Sequence, residues 1–350
     1  MNMARNWWKF LSASLVLTTL FIGLTAPLAP GIAKVQPERL SYGVNSVEIQ
    51  GYNTHFAEAK ESMQVWLSNG KQIFCPFELV VLNNEQLRLT FSIPESVEEA
   101  FFELYLNNDQ DGTLGLQSAF LQQGLSVVEQ VQYSDTAMCI TAMKTEEAAW
   151  FNFPNQSILN ETIRNLFFHV PSWFAMMLLM TLSLVYSIKY LRNSAFENDL
   201  MAANFAKVGL LFAAVGLLTG SVWARFTWGA WWVSDPRLNG AALGVLVYLA
   251  YFVLKSSVND DEKAARLGAV YNIFAYVMMM LFIMVLPRMT DSLHPGVGGN
   301  PAFSQYDLDD NMRMVFYPAV LGWMGMAIWI SQLRNRMDLL AYRKSMASNA

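Results

Sequence analysis

Hydrophobic and polar positions divide the chain into two kinds of segment. Between residues 36 and 155, polar and apolar residues alternate over short stretches, at 46–50, 64–67 and 87–93. Alternation with period two puts successive side chains on opposite faces of a strand. Asn69-Gly70 and Asn83-Asn84 punctuate these stretches as turn signals. A β-rich domain at 36–155 is therefore expected, most simply a sandwich. Alternation weakens over 115–132, where looser chain with a short helix is expected.

The rest of the pattern is continuous. Apolar runs lie near 170–190, 203–222, 239–255, 267–286 and 314–331, and another at 10–26 follows Arg5 and Lys9. About 20 apolar residues carry a helix across the hydrocarbon layer. Of the five later runs, 239–255 and 314–331 are the shortest and would cross with little tilt. The first run also has the form of a signal peptide, but APLAPG puts prolines where a cleavage site would be cleaner. Residues 1–30 are thus expected to be an uncleaved anchor. The expected fold is a polytopic α-helical membrane protein with six transmembrane helices and an inserted β-rich extracytoplasmic domain. Its membrane part is a five-helix domain at 160–335.

Basic residues orient these spans. Lys189, Arg192 and Lys207 flank one short loop, and Lys255, Lys263 and Arg266 flank another. Arg334, Arg336, Arg343 and Lys344 close the chain, and Arg5 and Lys9 open it. Six spans put all four groups on one side, which the positive-inside rule makes cytoplasmic. The β domain and the loops 223–238 and 287–313 then face outward.

Composition agrees with a membrane chain. Hydrophobic residues make up 54% and charged residues 15%, below the usual quarter for soluble domains. A net charge of -5 gives no electrostatic case for nucleic acid. Cys75 and Cys139 form no CxxC pair, which leaves thiol exchange and zinc poorly supported. Both cysteines fall in the β domain, where a disulfide and a buried thiol pair are both open readings.

The loop 223–238 reads WARFTWGAWWVSDPRL. Trp223, Trp228, Trp231 and Trp232 are interleaved with Arg225, Asp235 and Arg237. Trp is enriched at any bilayer interface, but an aromatic belt would spread its rings over many span ends. Packed into one loop with three charges, they suit a large, flat, amphipathic ligand. His169, in RNLFFHVPSW, and His294, in LPRMTDSLHPG, fall at the same outward level. Two neutral imidazoles can ligate a haem iron from its two faces. Arg164, Arg225, Arg237 and Arg288 are available for the propionates, since a guanidinium matches a carboxylate with two hydrogen bonds.

Plainer readings exist for each residue. His169 could be a helix-start residue ahead of Pro171, and His294 a turn residue ahead of Pro295. A zinc site would need Asp291 or Asp235 to complete the set. His55 lies in the β domain and reads as structural or as a partner contact. Met278–Met280 is mid-span and reads as packing. Gly209, Gly216 and Gly220 permit close helix approach without indicating a ligand.

These segments together resemble the WWD-signature haem-handling proteins of cytochrome c maturation, nearest to the CcmC family and next to the CcsA group. TGSVWARFTWGAWWVSDPRL resembles the signature, while FFHVPSW at 167–173 and SLHP at 292–295 resemble its two histidine segments. Arg164 stands where the family has a basic residue ahead of the first histidine. The resemblance covers about 160–331 and the N-terminal run. It implies haem b held outside a bacterial cytoplasmic membrane between His169 and His294 and against the Trp loop. It further implies transfer to a periplasmic haem chaperone of the CcmE type, with ABC-transporter subunits assisting, by a scaffold whose likeness to a haem lyase leaves enzymatic activity open. Two features depart from the family: Ser234 replaces a ring of the usual WWVWD, and the domain at 36–155 replaces a short segment. A CcsA-type synthetase acting directly on apocytochrome c, a transmembrane haem transporter and a non-haem assembly scaffold are the alternatives.

Overall fold

The computed structural model describes residues 3–94, 101–122, 151–156, 159–294 and 308–348. The chain forms two compact units. One comprises Ala26–Glu161, and the other comprises Met1–Thr25 with Thr162–Ala350.

The first unit is built from strands β1 (Gly31–Gln36), β2 (Arg39–Leu40), β3 (Gly43–Tyr52), β4 (Gln64–Ser68), β5 (Ile73–Phe74), β6 (Glu78–Asn83), β7 (Gln86–Ile93), β8 (Phe101–Asn108) and β9 (Gly112–Gln122). They form a four-stranded sheet, β1-β3-β7-β6, and a five-stranded sheet, β2-β9-β8-β4-β5. The three alternating stretches fall in β3, β4 and β7. Their inward residues, among them Val47, Ile49, Leu67, Leu89 and Phe91, meet in one buried core. Outward residues pair across the sheet: Glu48 is opposite Arg88, which donates to it at 2.7 Å. Asn83-Asn84 ends β6, and Gly70 takes the left-handed conformation between β4 and β5 (φ 80°).

The looser chain expected from 115 onward is corrected over 115–122, which belongs to β9. Pairing of Leu104 with Leu116 and Leu106 with Leu114 fixes this strand against β8. A register shift near Phe102/Leu104 and a positive φ at Ser118 (50°) break the alternation without ending the strand. The remainder of that stretch, 123–132, lies outside the described residues. Cys75 is disulfide-bonded; Cys139 also lies outside them.

Among the described residues, the second unit holds six helices long and apolar enough to cross a membrane. These are α1 (Met3–Thr25), α2 (Leu166–Asn193), α3 (Phe196–Thr227), α4 (Pro236–Ser256), α5 (Asp261–Met280) and α6 (Asp310–Ser348). The protein is thus a polytopic helical membrane protein with an inserted β domain. Residues Leu281–Val285 continue α5 as a π turn, and Leu286–Arg288 end it as a 3-10 turn.

Buried Ala175, Leu179, Phe205, Phe212, Tyr248 and Met279 belong to a core shared by the helices. Of the run 278–280, Met279 is core packing. Polar groups also join the helices. Asn272 donates to Ser183 and Ser187, each at 2.7 Å, and Ser183 donates to the Ala202 carbonyl at 2.7 Å. Such side-chain bonds tie helices together where apolar packing against lipid gives little preference. At α6, Gly325 lets Ser12 of α1 approach: an added Cβ would lie 2.0 Å from its Oγ.

Candidate functional site

The site begins with two pairs of residues at helical spacing. His169 and Trp173 share a face of α2, and Gly216 and Gly220 share a face of α3. A Cβ at Gly220 would lie 2.8 Å from His169 Cε1, and one at Gly216 would lie 2.6 Å from the Trp173 ring. The two rings occupy the notches left by the two glycines. The sequence carried this signal as a GxxxG spacing opposite a His-xxx-Trp spacing.

Thr219, in the same turn of α3, fixes the His169 tautomer. Its hydroxyl donates to the Val215 carbonyl at 2.8 Å and lies 3.1 Å from that of Gly216. The single hydroxyl proton is therefore directed to backbone. Toward His169 Nδ1, 3.0 Å away, the oxygen acts as acceptor. Nδ1 then carries the imidazole proton and Nε2 the lone pair. Metal-binding histidines are commonly held this way, by a bond to the nitrogen that does not ligate.

The Trp-rich loop closes one end. At the C-terminus of α3 the Trp228 N–H bonds the Ala224 carbonyl at 2.8 Å, and Gly229 reverses the chain at φ 79°. Arg225 donates to the Gly229 carbonyl and secures this turn. The Trp223 ring packs on His294 with centroids 5.4 Å apart. Trp228 packs edge-on to Trp223 at 4.8 Å and to His294 at 6.4 Å. Trp232 Nε1 donates to Asn239 at 3.2 Å.

Asp235 organises the return. It is 1% exposed and caps α4 by accepting from Arg237 N at 2.8 Å, with Pro236 at the first helical position. Its other oxygen accepts from Ser292 Oγ and Leu293 N, each at 2.9 Å. Ser292 Oγ in turn accepts from His294 N at 3.1 Å. One buried carboxylate thus ties the Trp-rich loop to the loop carrying His294.

A cavity of about 320 Å3 opens between these elements. His169, Trp173, Trp223, Trp232, Arg237, Arg288 and His294 line it, with apolar Phe174, Leu217, Ile283 and Met284. The volume falls within the usual range for small-molecule and cofactor sites. None of the described lining residues is a carboxylate, so its fixed charge comes from Arg237 and Arg288. Arg237 Nη1 stands 3.1 Å from His294 Nδ1, and Arg288 donates to the Met284 carbonyl.

Of the sequence-predicted site residues, His169, His294, Trp223, Trp232, Arg237 and Arg288 meet at this cavity. Trp228 touches His294 from behind, and Asp235 positions the loop. Trp231 is 60% exposed and is not part of the lining. Arg164 donates to the Gly23 carbonyl at 3.1 Å, and neither it nor Arg225 lines the cavity. Trp173, Thr219, Met284 and Ser292 are neighbours of the site that the sequence does not single out, and Gly220, expected only to let helices approach, abuts His169. Among the described residues, no group of three or more His, Cys, Asp or Glu could hold a metal ion. The donor set suits a flat metal complex with acidic substituents: two imidazoles, indole faces and guanidinium groups around one apolar slot.

Fold and site define a class, the polytopic helical membrane proteins with a histidine- and tryptophan-lined cavity at the helix ends. Residues 118–349 match the model of one family, Heme exporter protein C, and the chain belongs to it. It is 30% identical over 135 residues to Heme exporter protein C of Paracoccus denitrificans, covering 39% of this chain and 56% of that protein. The homologue of Rhodobacter capsulatus is 26% identical over 198 residues, or 55% and 80% of the two chains. That of Escherichia coli K12 is 25% identical over 146 residues, or 42% and 58%. The chain therefore spans little more than half the length of two of these relatives.

Proposed function

We propose that the protein binds haem b in this cavity and presents it for transfer during cytochrome c maturation. The observation that carries the reading is the convergence of His169 and His294 on one apolar cavity also lined by Trp223, Trp232, Arg237 and Arg288. His169 offers Nε2 to iron, its orientation set by Thr219. His294 is the second ligand, held by the chain from Asp235 through Ser292. Trp223 and Trp232 supply indole surface to the macrocycle. Arg237 and Arg288 bind the acidic edge, while Trp228 packs on His294 and Arg225 secures the turn of the Trp-rich loop; Arg164 and Trp231 stand outside the lining. Bound haem supplies the iron centre and the vinyl groups; the chain supplies binding, orientation and exclusion of water.

In this reading the basic loop ends face the cytoplasm. The cavity and the β unit then lie on the outer side of a bacterial cytoplasmic membrane. The acceptor is a periplasmic haem chaperone of the CcmE type, and ABC-transporter subunits of the same system are the membrane partners. The family name of the matched relatives, a haem exporter, supports haem as the cargo. The test is the haem content and absorption spectrum of purified His169→Ala and His294→Ala variants. Loss of the two-imidazole spectrum is expected in each. Wild-type haem content and spectra in both would remove the ligand assignment.

A further inference from the structure

We infer that Arg237 is a latch on His294, which becomes a ligand only once Arg237 has exchanged its imidazole partner for a carboxylate of the bound molecule. The inference rests on the haem reading of the cavity and deepens it.

The two histidines are held in opposite states. Thr219 accepts from His169 Nδ1, which leaves the lone pair on Nε2. Arg237 does the reverse. A guanidinium has N–H donors and no acceptor, so the 3.1 Å contact makes His294 Nδ1 the acceptor. A neutral imidazole accepting at Nδ1 carries its proton at Nε2. Neither nitrogen then has a lone pair to offer. Ligation through Nδ1 needs the arginine gone. Ligation through Nε2 needs the proton on Nδ1, where it would face an arginine N–H. Either route requires Arg237 to leave.

The surroundings make Arg237 the mobile partner. The His294 backbone N–H is bonded to Ser292, Ser292 to Asp235, and Trp223 covers the imidazole. The backbone of Arg237 is held by the same Asp235, so an exchange of partner is a rotation of its side chain about a fixed Cα. Its guanidinium and that of Arg288 both border the cavity, whose described lining contains no carboxylate. A carboxylate from the ligand gives a two-pronged bond in which both partners are charged, whereas the imidazole offers one acceptor and no charge, and the carboxylate displaces the imidazole. The exchange moves no electrons. One N–H···N bond breaks and one N–H···O bond forms. The imidazole proton passes from Nε2 to Nδ1 through water, leaving the Nε2 lone pair for the metal. Two-histidine binding is thereby conditional on the acidic edge.

The full-length protein in detergent, titrated with ferric haem b and separately with its dimethyl ester, tests this. The ester keeps iron and ring but caps both carboxylates. Electron paramagnetic resonance distinguishes a low-spin two-imidazole centre from a high-spin one-imidazole centre. Wild type is expected to give the low-spin signal with haem and the high-spin signal with the ester. Arg237→Ala is expected to give the low-spin signal with both. An ester bound only by the variant also supports the latch. A low-spin signal from wild type with the ester overturns it, as does a high-spin signal from the variant with haem, or an ester bound by neither protein. The wild-type comparison needs no mutation, so it stands even if the variant fails to fold. Unchanged haem spectra in His169→Ala and His294→Ala would instead remove the underlying haem reading.

Discussion

Replacing Asp235 with Asn should release the His294 loop while leaving the helices in place. The carboxylate accepts from Arg237 N, Ser292 Oγ and Leu293 N, and it is buried. Asn is as good a helix cap as Asp, so the bond to Arg237 N, and with it the start of α4, survives. The other oxygen becomes an amide NH2 facing the Leu293 N–H. A buried donor left without an acceptor costs about 1–3 kcal/mol. Loss of charge assistance on the Ser292 bond adds about 1 kcal/mol. The loop-docking equilibrium therefore weakens by about 3 kcal/mol, or roughly a hundredfold. Two measurements report it. Trypsin should cut after Arg288 faster in the haem-free variant, and haem should bind up to about a hundredfold more weakly with a one-imidazole spectrum. Wild-type trypsin rate together with wild-type affinity would refute the argument. A large drop in the thermal midpoint of the whole bundle would also count against it, by making Asp235 a determinant of global folding.

Two further substitutions act on the other histidine. Gly220→Ala removes a helical glycine, which by itself favours the helix by about 0.5–1 kcal/mol. The new Cβ, however, would sit 2.8 Å from His169 Cε1, so the ring must shift at an overpacking cost of about 1–3 kcal/mol that offsets the gain; an unchanged or lowered thermal midpoint and an altered haem spectrum are expected, checked by thermal melting beside absorption. Thr219→Val keeps the shape but removes the acceptor for His169 Nδ1; haem affinity should fall about 10–100-fold, and Thr219→Ser should restore most of it in the same titration.

Legibility in the sequence followed the range of the forces involved. Strands β3, β4 and β7 were visible because period-two alternation is local, and Glu48 and Arg88 mark their solvent face. β9 was hidden because its place depends on partners in β8 and on an irregularity at Ser118. The helices were visible as apolar runs, but their ends were not. The run at 314–331 lies within a helix extending over Asp310–Ser348, since hydropathy registers only the part suited to hydrocarbon.

Within the site, sequence placed His169, His294 and the Trp loop at one level. It did not give the rotation of each side chain about its helix or turn. Arg164 and Arg225 were therefore indistinguishable from Arg237. In the fold they bond backbone carbonyls of Gly23 and Gly229, whereas Arg237 reaches the cavity. Gly220 was read as a packing residue; its tie to His169 appears only when α2 and α3 are brought together.

The π turn at Leu281–Val285 sets the phase of everything after it. Gly240 accommodates it: a Cβ there would meet the Phe282 carbonyl oxygen at 2.3 Å. Each residue advances an α-helix by about 100°, so an extra residue in one turn rotates the following side chains by about that angle. Met284, Pro287 and Arg288 reach the cavity in this rotated phase. Deleting one residue from 281–285 would restore regular winding and carry Arg288 about a quarter-turn or more around the axis. In this segment, chain length is as specific a determinant as residue identity, and an alignment gap here would signify a differently faced wall.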